Sequence, residues 1–174
     1  MYIIYGLIFI VFLVIDQITK YFAVAALQGN ASVHLIGDFL RFTYVENRGA
    51  AFGILQNQRL FFIISTIILT GCIIYMIVFS KKLTNPTKLT LSLILSGAIG
   101  NFIDRLRLGY VIDFVDVRFG SFYNFPVFNV ADSCLVVGTI ILIILILFNK
   151  FEKTDRYQKT DKYQEEEWNI NERN

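Results

Sequence analysis

The sequence predicts an all-α membrane protein, with four transmembrane helices and a small extracytoplasmic β-rich cradle between helices 1 and 2. Three observations lead there. Of 174 residues, 55% are hydrophobic and only 17% are charged, whereas soluble domains carry about 25% charged residues. The mean hydropathy is +0.57. The apolar residues fall into four runs, each near the ~20 residues a bilayer core requires. One transmembrane domain is expected over 1–149, with the cradle at about 28–58 and an outer loop at about 108–126. A charged cytoplasmic tail follows at 150–174. The net charge of +2 is too small to suggest nucleic acid as a partner.

The first run, Tyr2–Leu27, is interrupted by Asp16, Gln17 and Lys20. Ala23–Ala26 superficially fits a signal-peptide cleavage site. No basic segment precedes the run, however, and helix-forming residues continue past Asp16, so a transmembrane helix is the better reading. Asp16 and Lys20 are spaced i, i+4 and share one helix face. The pair is read as a salt bridge that anchors the helix end and holds a nearby loop.

Residues Gln28–Gln58 connect the first two runs. Leu40, Phe42 and Tyr44 alternate at period two, which signals a short strand or hairpin. Gly49, Ala50, Ala51 and Gly53 then form a small-residue loop, which lets a backbone or ligand approach closely. Phe39, Phe42, Tyr44 and Phe52 are candidates for holding a peptide or for anchoring at a membrane interface.

Leu60–Phe79 is the second span. Lys81, Lys82 and Lys88 flank Asn85-Pro86 in a short loop. The third span starts within Leu89–Ile103 and ends near Leu106–Gly109. Ser92, Ser96 and Gly100 recur at i, i+4, i+8, a stripe suited to close helix contact. Tyr110–Pro126 is an outer loop, and Val127–Phe148 is the fourth span. Lys81, Lys82, Lys88, Lys150, Lys153 and Arg156 place both termini in the cytoplasm by the positive-inside tendency. Arg105, Arg107 and Arg118 fall on the outer side, beside Asp104, Asp113 and Asp116. Cys72 and Cys134 lie inside apolar runs and read as packing residues. Leu69–Cys72 resembles a lipid-attachment box, but it lies within the second span. The single histidine, His34, excludes sites needing two.

The chemistry concentrates at the outer ends of spans three and four. Asp113 follows span three and Asp132 opens span four. Two facing carboxylates cannot both ionise cheaply, so one is pushed above its ordinary ~3.9 and the pair shares a proton. The ionised member can activate water while the protonated member polarises a carbonyl. Asn101 and Arg105 share a helix face, as do Asn129 and Asp132, so Asn129 can orient Asp132 or bind substrate backbone. For Asp104 and Arg105, a buried ion-pair network weighs about evenly with function. There is no HExxH, no GxSG and no GxGD in the chain.

Two other readings fit parts of the pattern. Intramembrane charges also mark ion pathways, though four spans without an internal repeat make a poor carrier. Asp113 and Asp116 could instead hold magnesium in a lipid transferase.

The ordered set DQITK (Asp16–Lys20), ENRGAAFG (Glu46–Gly53), GNFIDR (Gly100–Arg105), VIDFVD (Val111–Asp116) and FNVADS (Phe128–Ser133) resembles the lipoprotein signal peptidase (signal peptidase II) family. The resemblance covers Asp16 to about Gly138. It implies a bacterial aspartic peptidase of the cytoplasmic membrane, with Asp113 and Asp132 as the catalytic pair. It also implies site-supporting or substrate-contacting roles for Asp16, Lys20, Asn47, Gly49, Asn101, Arg105 and Asn129. No metal or other cofactor is implied. The expected partners are membrane lipids and a prolipoprotein cleaved before its diacylglyceryl-modified cysteine, with the enzyme acting as a monomer and its site near the outer face. The segment after Lys150 is not explained by the resemblance.

Overall fold

The computed structural model describes residues 1–49, 55–120 and 122–153. Ala50, Ala51, Phe52 and Gly53 of the small-residue loop, and 154–174 of the tail, lie outside the described residues. The element order is α1 (Tyr2–Leu27), β1 (Val33–Ile36), β2 (Leu40–Asn47), α2 (Arg59–Phe79), α3 (Asn85–Arg107), β3 (Val111–Phe119), β4 (Tyr123–Asn124) and α4 (Val130–Leu147).

All four helices are long and apolar enough to cross a membrane. Helices α1, α2 and α4 turn Ile, Leu, Val and Phe outward along most of their length. Helix α3 is the least apolar and the most buried. Its Ser92, Ser96, Gly97, Gly100, Asn101 and Asp104 all face the interior. Ser92 and Ser96 satisfy their hydroxyls on the Lys88 and Leu93 carbonyls of their own helix, so small polar residues can sit at a tight helix contact without an orphaned donor. A Cβ on Gly97 would collide with the Ala131 carbonyl, and one on Gly138 would stand 2.6 Å from Ile94 Cγ1. Glycine is what lets α3 and α4 pack this closely.

Helix α3 starts four residues earlier than the sequence suggests. Asn85-Pro86 reads as a loop, but proline is tolerated in a first helical turn, where its missing N–H has no partner to lose. Thr84 caps the helix by accepting from the Thr87 amide. Helix α4 opens with a capping box. The Asn129 side chain accepts from the Asp132 amide at 2.9 Å, and the Asp132 carboxylate accepts from the Asn129 amide at 3.2 Å.

The strands form one antiparallel sheet in the order β1-β2-β3-β4. An all-α label with strands only between α1 and α2 therefore describes half of it. Strand β3 occupies the stretch expected to be an outer loop. Its alternation is hard to see in the sequence because both faces carry buried charge: Asp113 on one, Asp116 on the other. Pairing of β2 with β3 places Val45 opposite Asp113 and Asn47 opposite Val111. Since β2 leads into α2 and β3 follows α3, the sheet sits where α1 and α3 end and α2 and α4 begin. Ala23, Leu27, Ile112 and Phe114 form the core beneath it. A second core, including Tyr5, Ile73, Leu83 and Leu91, fills the opposite end.

Candidate active site

Strand β3 and the start of α4 are stitched together by Phe128. Its carbonyl accepts from the Phe114 and Val115 amides, and its amide donates to the Val115 carbonyl at 3.1 Å. This stitch draws Asp113 and Asp132 to one place. The Asn129 amide group donates to Asp113 Oδ1 at 2.6 Å, while the same side chain caps the turn holding Asp132. Asn129 is fully buried, so one residue fixes both carboxylates: its side chain donates to Asp113 and its backbone amide donates to Asp132 Oδ2 at 3.2 Å.

Each aspartate has a further asparagine. Asn47, from the end of β2, donates to Asp113 Oδ2 at 2.9 Å. Asn101, from α3, donates to Asp132 Oδ1 at 2.7 Å. The orientation of Asn101 is dictated from behind, because its Oδ1 accepts from Lys20 Nζ at 2.9 Å and from Asn129 at 3.1 Å. Its NH₂ is thereby turned toward Asp132. Gly49 donates its amide to Asn47 Oδ1 at 3.0 Å, and Arg105 reaches the Gly49 carbonyl at 3.3 Å. The Arg105 guanidinium also lies 4.5 Å from the Phe62 ring centre, a cation–π contact that holds it over α2.

Burial, first, and the Asp132 charge, second, push the Asp113 carboxyl up to about 7. The donors from Asn47 and Asn129 act in the opposite direction. Asp113 is thus poised to change protonation near neutral pH.

The site residues named from the sequence divide into two layers. Asn47, Gly49, Asn101, Arg105, Asp113 and Asp132 line a cavity of about 570 Å³. Its remaining walls are mainly apolar, from Phe62 and Leu69 of α2, Leu135–Val137 of α4 and the 125–128 segment, with Thr66 and Ser133 among them. Asp16, Lys20 and Asn129 stand behind that lining. Lys20 pairs with Asp16 at 3.0 Å and Asp104 at 2.8 Å. Asp16 accepts from the Ala131 amide at 2.9 Å and so holds the N-terminus of α4, where a carboxylate is favoured. Asp104 accepts from the Ile112 amide at 3.2 Å, fixing the residue just before Asp113.

Two candidates are resolved by this geometry. Asp104 belongs to the buried ion-pair network with Lys20. Asp116 lies on the far face of β3, where Arg41 binds it at 2.7 Å and Arg118 at 3.2 Å. A strand places residues i and i+3 on opposite faces, so Asp113 and Asp116 do not converge on one magnesium ion. Sequence reasoning missed the wall residues Phe62 and Leu69, which look like any other lipid-span residues. It also missed Gly97, although that glycine sits one residue from the small-residue stripe it had found.

Comparison with known proteins places this arrangement. The family model described as signal peptidase (SPase) II matches residues 8–148. A lipoprotein signal peptidase from Caldanaerobacter subterraneus subsp. tengcongensis is 52% identical over 143 residues, covering 80% of this chain and 92% of that protein. One from Staphylococcus aureus is 41% identical over 148 residues, covering 84% and 90%. A solved bacterial membrane enzyme, determined by the in meso method, superposes with a TM-score of 0.75 at 38% identity, covering 86% of this chain and 93% of that one. With these matches spanning all four helices and both halves of the sheet, the chain belongs to the signal peptidase II family of membrane peptidases.

Proposed function

We propose that this protein is an aspartic endopeptidase that removes the signal peptide from diacylglyceryl-modified prolipoproteins, cutting just before the lipidated cysteine. The observation that carries the reading is Asn129, one buried amide bonded to Asp113 and capping Asp132 at the head of an apolar cavity. Family membership supports the substrate class, since the curated relatives are lipoprotein signal peptidases.

The chemistry follows from two carboxylates in unlike states. A water between them loses a proton to the ionised member as its oxygen attacks the scissile carbonyl carbon. The protonated member gives its proton to the carbonyl oxygen, so the tetrahedral intermediate forms without net charge. Collapse breaks the C–N bond: the cysteine amine leaves with the proton held by the first carboxylate, and a hydroxyl of the intermediate returns its proton to the second, restoring the pair. The elevated Asp113 carboxyl suits the protonated role. Asn47 and Asn129 set its direction, and Asn101 sets that of Asp132. Arg105 and Gly49, which follows the end of β2, are the groups proposed to hold the substrate backbone. No metal has a part in these steps.

A lipidated substrate approaches within the bilayer. The walls from α2 and α4 are mainly apolar, as acyl chains and a helical signal peptide require. Lys81, Lys82 and Lys150 support, by the positive-inside tendency, a cytoplasmic location for both termini and hence a dyad near the outer face. The dyad and its supports all come from one chain, which suits a monomer.

The test is a gel-shift cleavage assay with a prolipoprotein carrying or lacking its diacylglyceryl group. Cleavage of the lipidated form alone, abolished by Asp113→Asn and by Asp132→Asn, is expected. Cleavage persisting in either variant overturns the two-aspartate mechanism.

A further inference from the structure

Arg105 is the sole cation among the described residues that line the cavity. Among the described residues no carboxylate stands within ion-pairing distance of it. The neighbouring cations are engaged elsewhere. Lys20, behind the lining, is shared by Asp16 and Asp104. Arg48 pairs with Glu46 at 2.8 Å, and Arg59 donates to the Leu106 carbonyl at 2.9 Å.

Hydrogen bonds tie this guanidinium to both aspartates. On one side Arg105 donates to the Gly49 carbonyl at 3.3 Å. Gly49 donates to Asn47 Oδ1 at 3.0 Å, and Asn47 donates to Asp113 Oδ2 at 2.9 Å. On the other side Arg105 follows Asn101, the donor to Asp132 Oδ1 at 2.7 Å. The two are one helical turn apart, which sets their Cβ atoms about 6 Å from each other. The Phe62 ring, 4.5 Å away, fixes the plane of the group. Among the described residues the Gly49 carbonyl is its one acceptor, whereas a guanidinium carries several N–H donors in a planar fork. Such a fork matches a carboxylate through two parallel bonds.

Given the peptidase reading above, we propose that Arg105 binds the carboxylate that cleavage creates at the C-terminus of the excised signal peptide. The backbone of an uncut substrate offers only neutral carbonyl and amide groups at the scissile bond. Hydrolysis bonds the water oxygen to the acyl carbon and breaks the C–N bond. The acid so formed gives its proton to the departing amine or to solvent, because a terminal carboxyl ionises at about 3.5. The new anion then stands beside an ionised aspartate, which repels it. In a mainly apolar cavity such a charge requires a partner. Arg105 is that partner, and it takes up the cleaved end beside the dyad rather than on it.

Two synthetic signal peptides test this, alike except that one ends in a free carboxylate and the other in a carboxamide. Each carries a fluorophore at its N-terminus. Anisotropy reports binding to the full-length protein in uncharged micelles, with partition into empty micelles subtracted. At about pH 6 Asp113 keeps its proton while the peptide carboxyl is ionised. The wild type should bind the acid roughly tenfold more tightly than the amide, as a charge-assisted pair provides. Arg105→Gln should bind the two alike, and its unchanged affinity for the amide shows that the cavity is intact. Equal binding by the wild type overturns the proposal without any variant having to fold. An undiminished preference in Arg105→Gln also overturns it, by placing the anion on another group. Cleavage of a lipidated prolipoprotein by the same wild-type sample separates the two levels. If it is cut while acid and amide bind alike, the anion subsite alone falls. If it is not cut, the peptidase reading falls and the subsite with it.

Discussion

Asn129 Nδ2 lies 2.6 Å from Asp113 Oδ1, although the two residues belong to different elements, which Phe128 also stitches together. The same asparagine is the N-cap of α4. The helix cap and the proposed positioning of the aspartate pair therefore meet in one side chain, and substitution can separate them. Asn129→Ala should destabilise the protein by about 1–3 kcal/mol, because buried partners lose their donor. Its kcat should fall on the order of 10²-fold through misplacement of the dyad. Asn129→Ser retains a capping hydroxyl, so it should regain much of the stability while kcat stays low. Thermal unfolding in detergent and single-turnover cleavage distinguish the two.

The Asp113 carboxyl gives a signed pH dependence. Its folded value of about 7 lies above the ordinary unfolded ~3.9. Between those values the folded protein binds the proton and the unfolded chain does not. This site's contribution to stability therefore falls as pH rises from about 4 to 7 and is flat beyond. Asp113→Asn removes that slope, so its melting temperature should gain on wild type across this interval. Cleavage by the wild type should decline above about 7, as the protonated carboxyl is lost. Parallel melting and rate profiles from pH 4 to 9 check both signs.

Gly100 tests the supporting layer. A Cβ there would stand 2.5 Å from Asp16 Oδ2 and 3.1 Å from the Ala131 Cβ. Gly100→Ala should push Asp16 off the α4 N-terminus and destabilise by about 1–3 kcal/mol, as overpacking does. Activity should fall although no cavity-lining residue has changed. Gly71→Ala in α2 meets nothing within 4 Å and should be neutral or slightly stabilising, since alanine is the better helix former.

Asp116 should behave as a sheet fastener. Asp116→Asn weakens its ties to Arg41 and Arg118 and should lower the melting temperature. The kcat should stay within a few fold of wild type, against near-complete loss in Asp113→Asn. A kcat loss as deep as that of Asp113→Asn would return Asp116 to the reacting centre. Chelators should leave the wild-type rate unchanged.

The sequence was informative where residue chemistry was at odds with its surroundings. Asp16, Lys20, Asn101 and Asp132 are polar groups in apolar helices, so their presence alone pointed to pairing or function. The spans were legible for the same reason. Strand β3 was not, because buried charge on both faces erased the alternation by which strands are recognised. Asn47, which the family motif had picked out, is bound to Asp113 through the sheet register. No local pattern in the sequence encodes that register. Nor could spacing separate the residues lining the cavity from those behind it, since Lys20 and Asn101 meet only when α1 packs on α3.

The place of Asn129 at the head of the last described helix bears on how the enzyme is made. A ribosome releases α1, the sheet strands and α3 before α4. Until α4 enters the bilayer, Asp16 lacks the Ala131 amide, Asn101 lacks Asp132 and Asp113 lacks Asn129. Under the proposed two-aspartate mechanism a half-inserted chain is thus catalytically silent. Proteolytic competence arrives only with completion of the polytopic topology, a built-in safeguard for a protease synthesised among its own substrates.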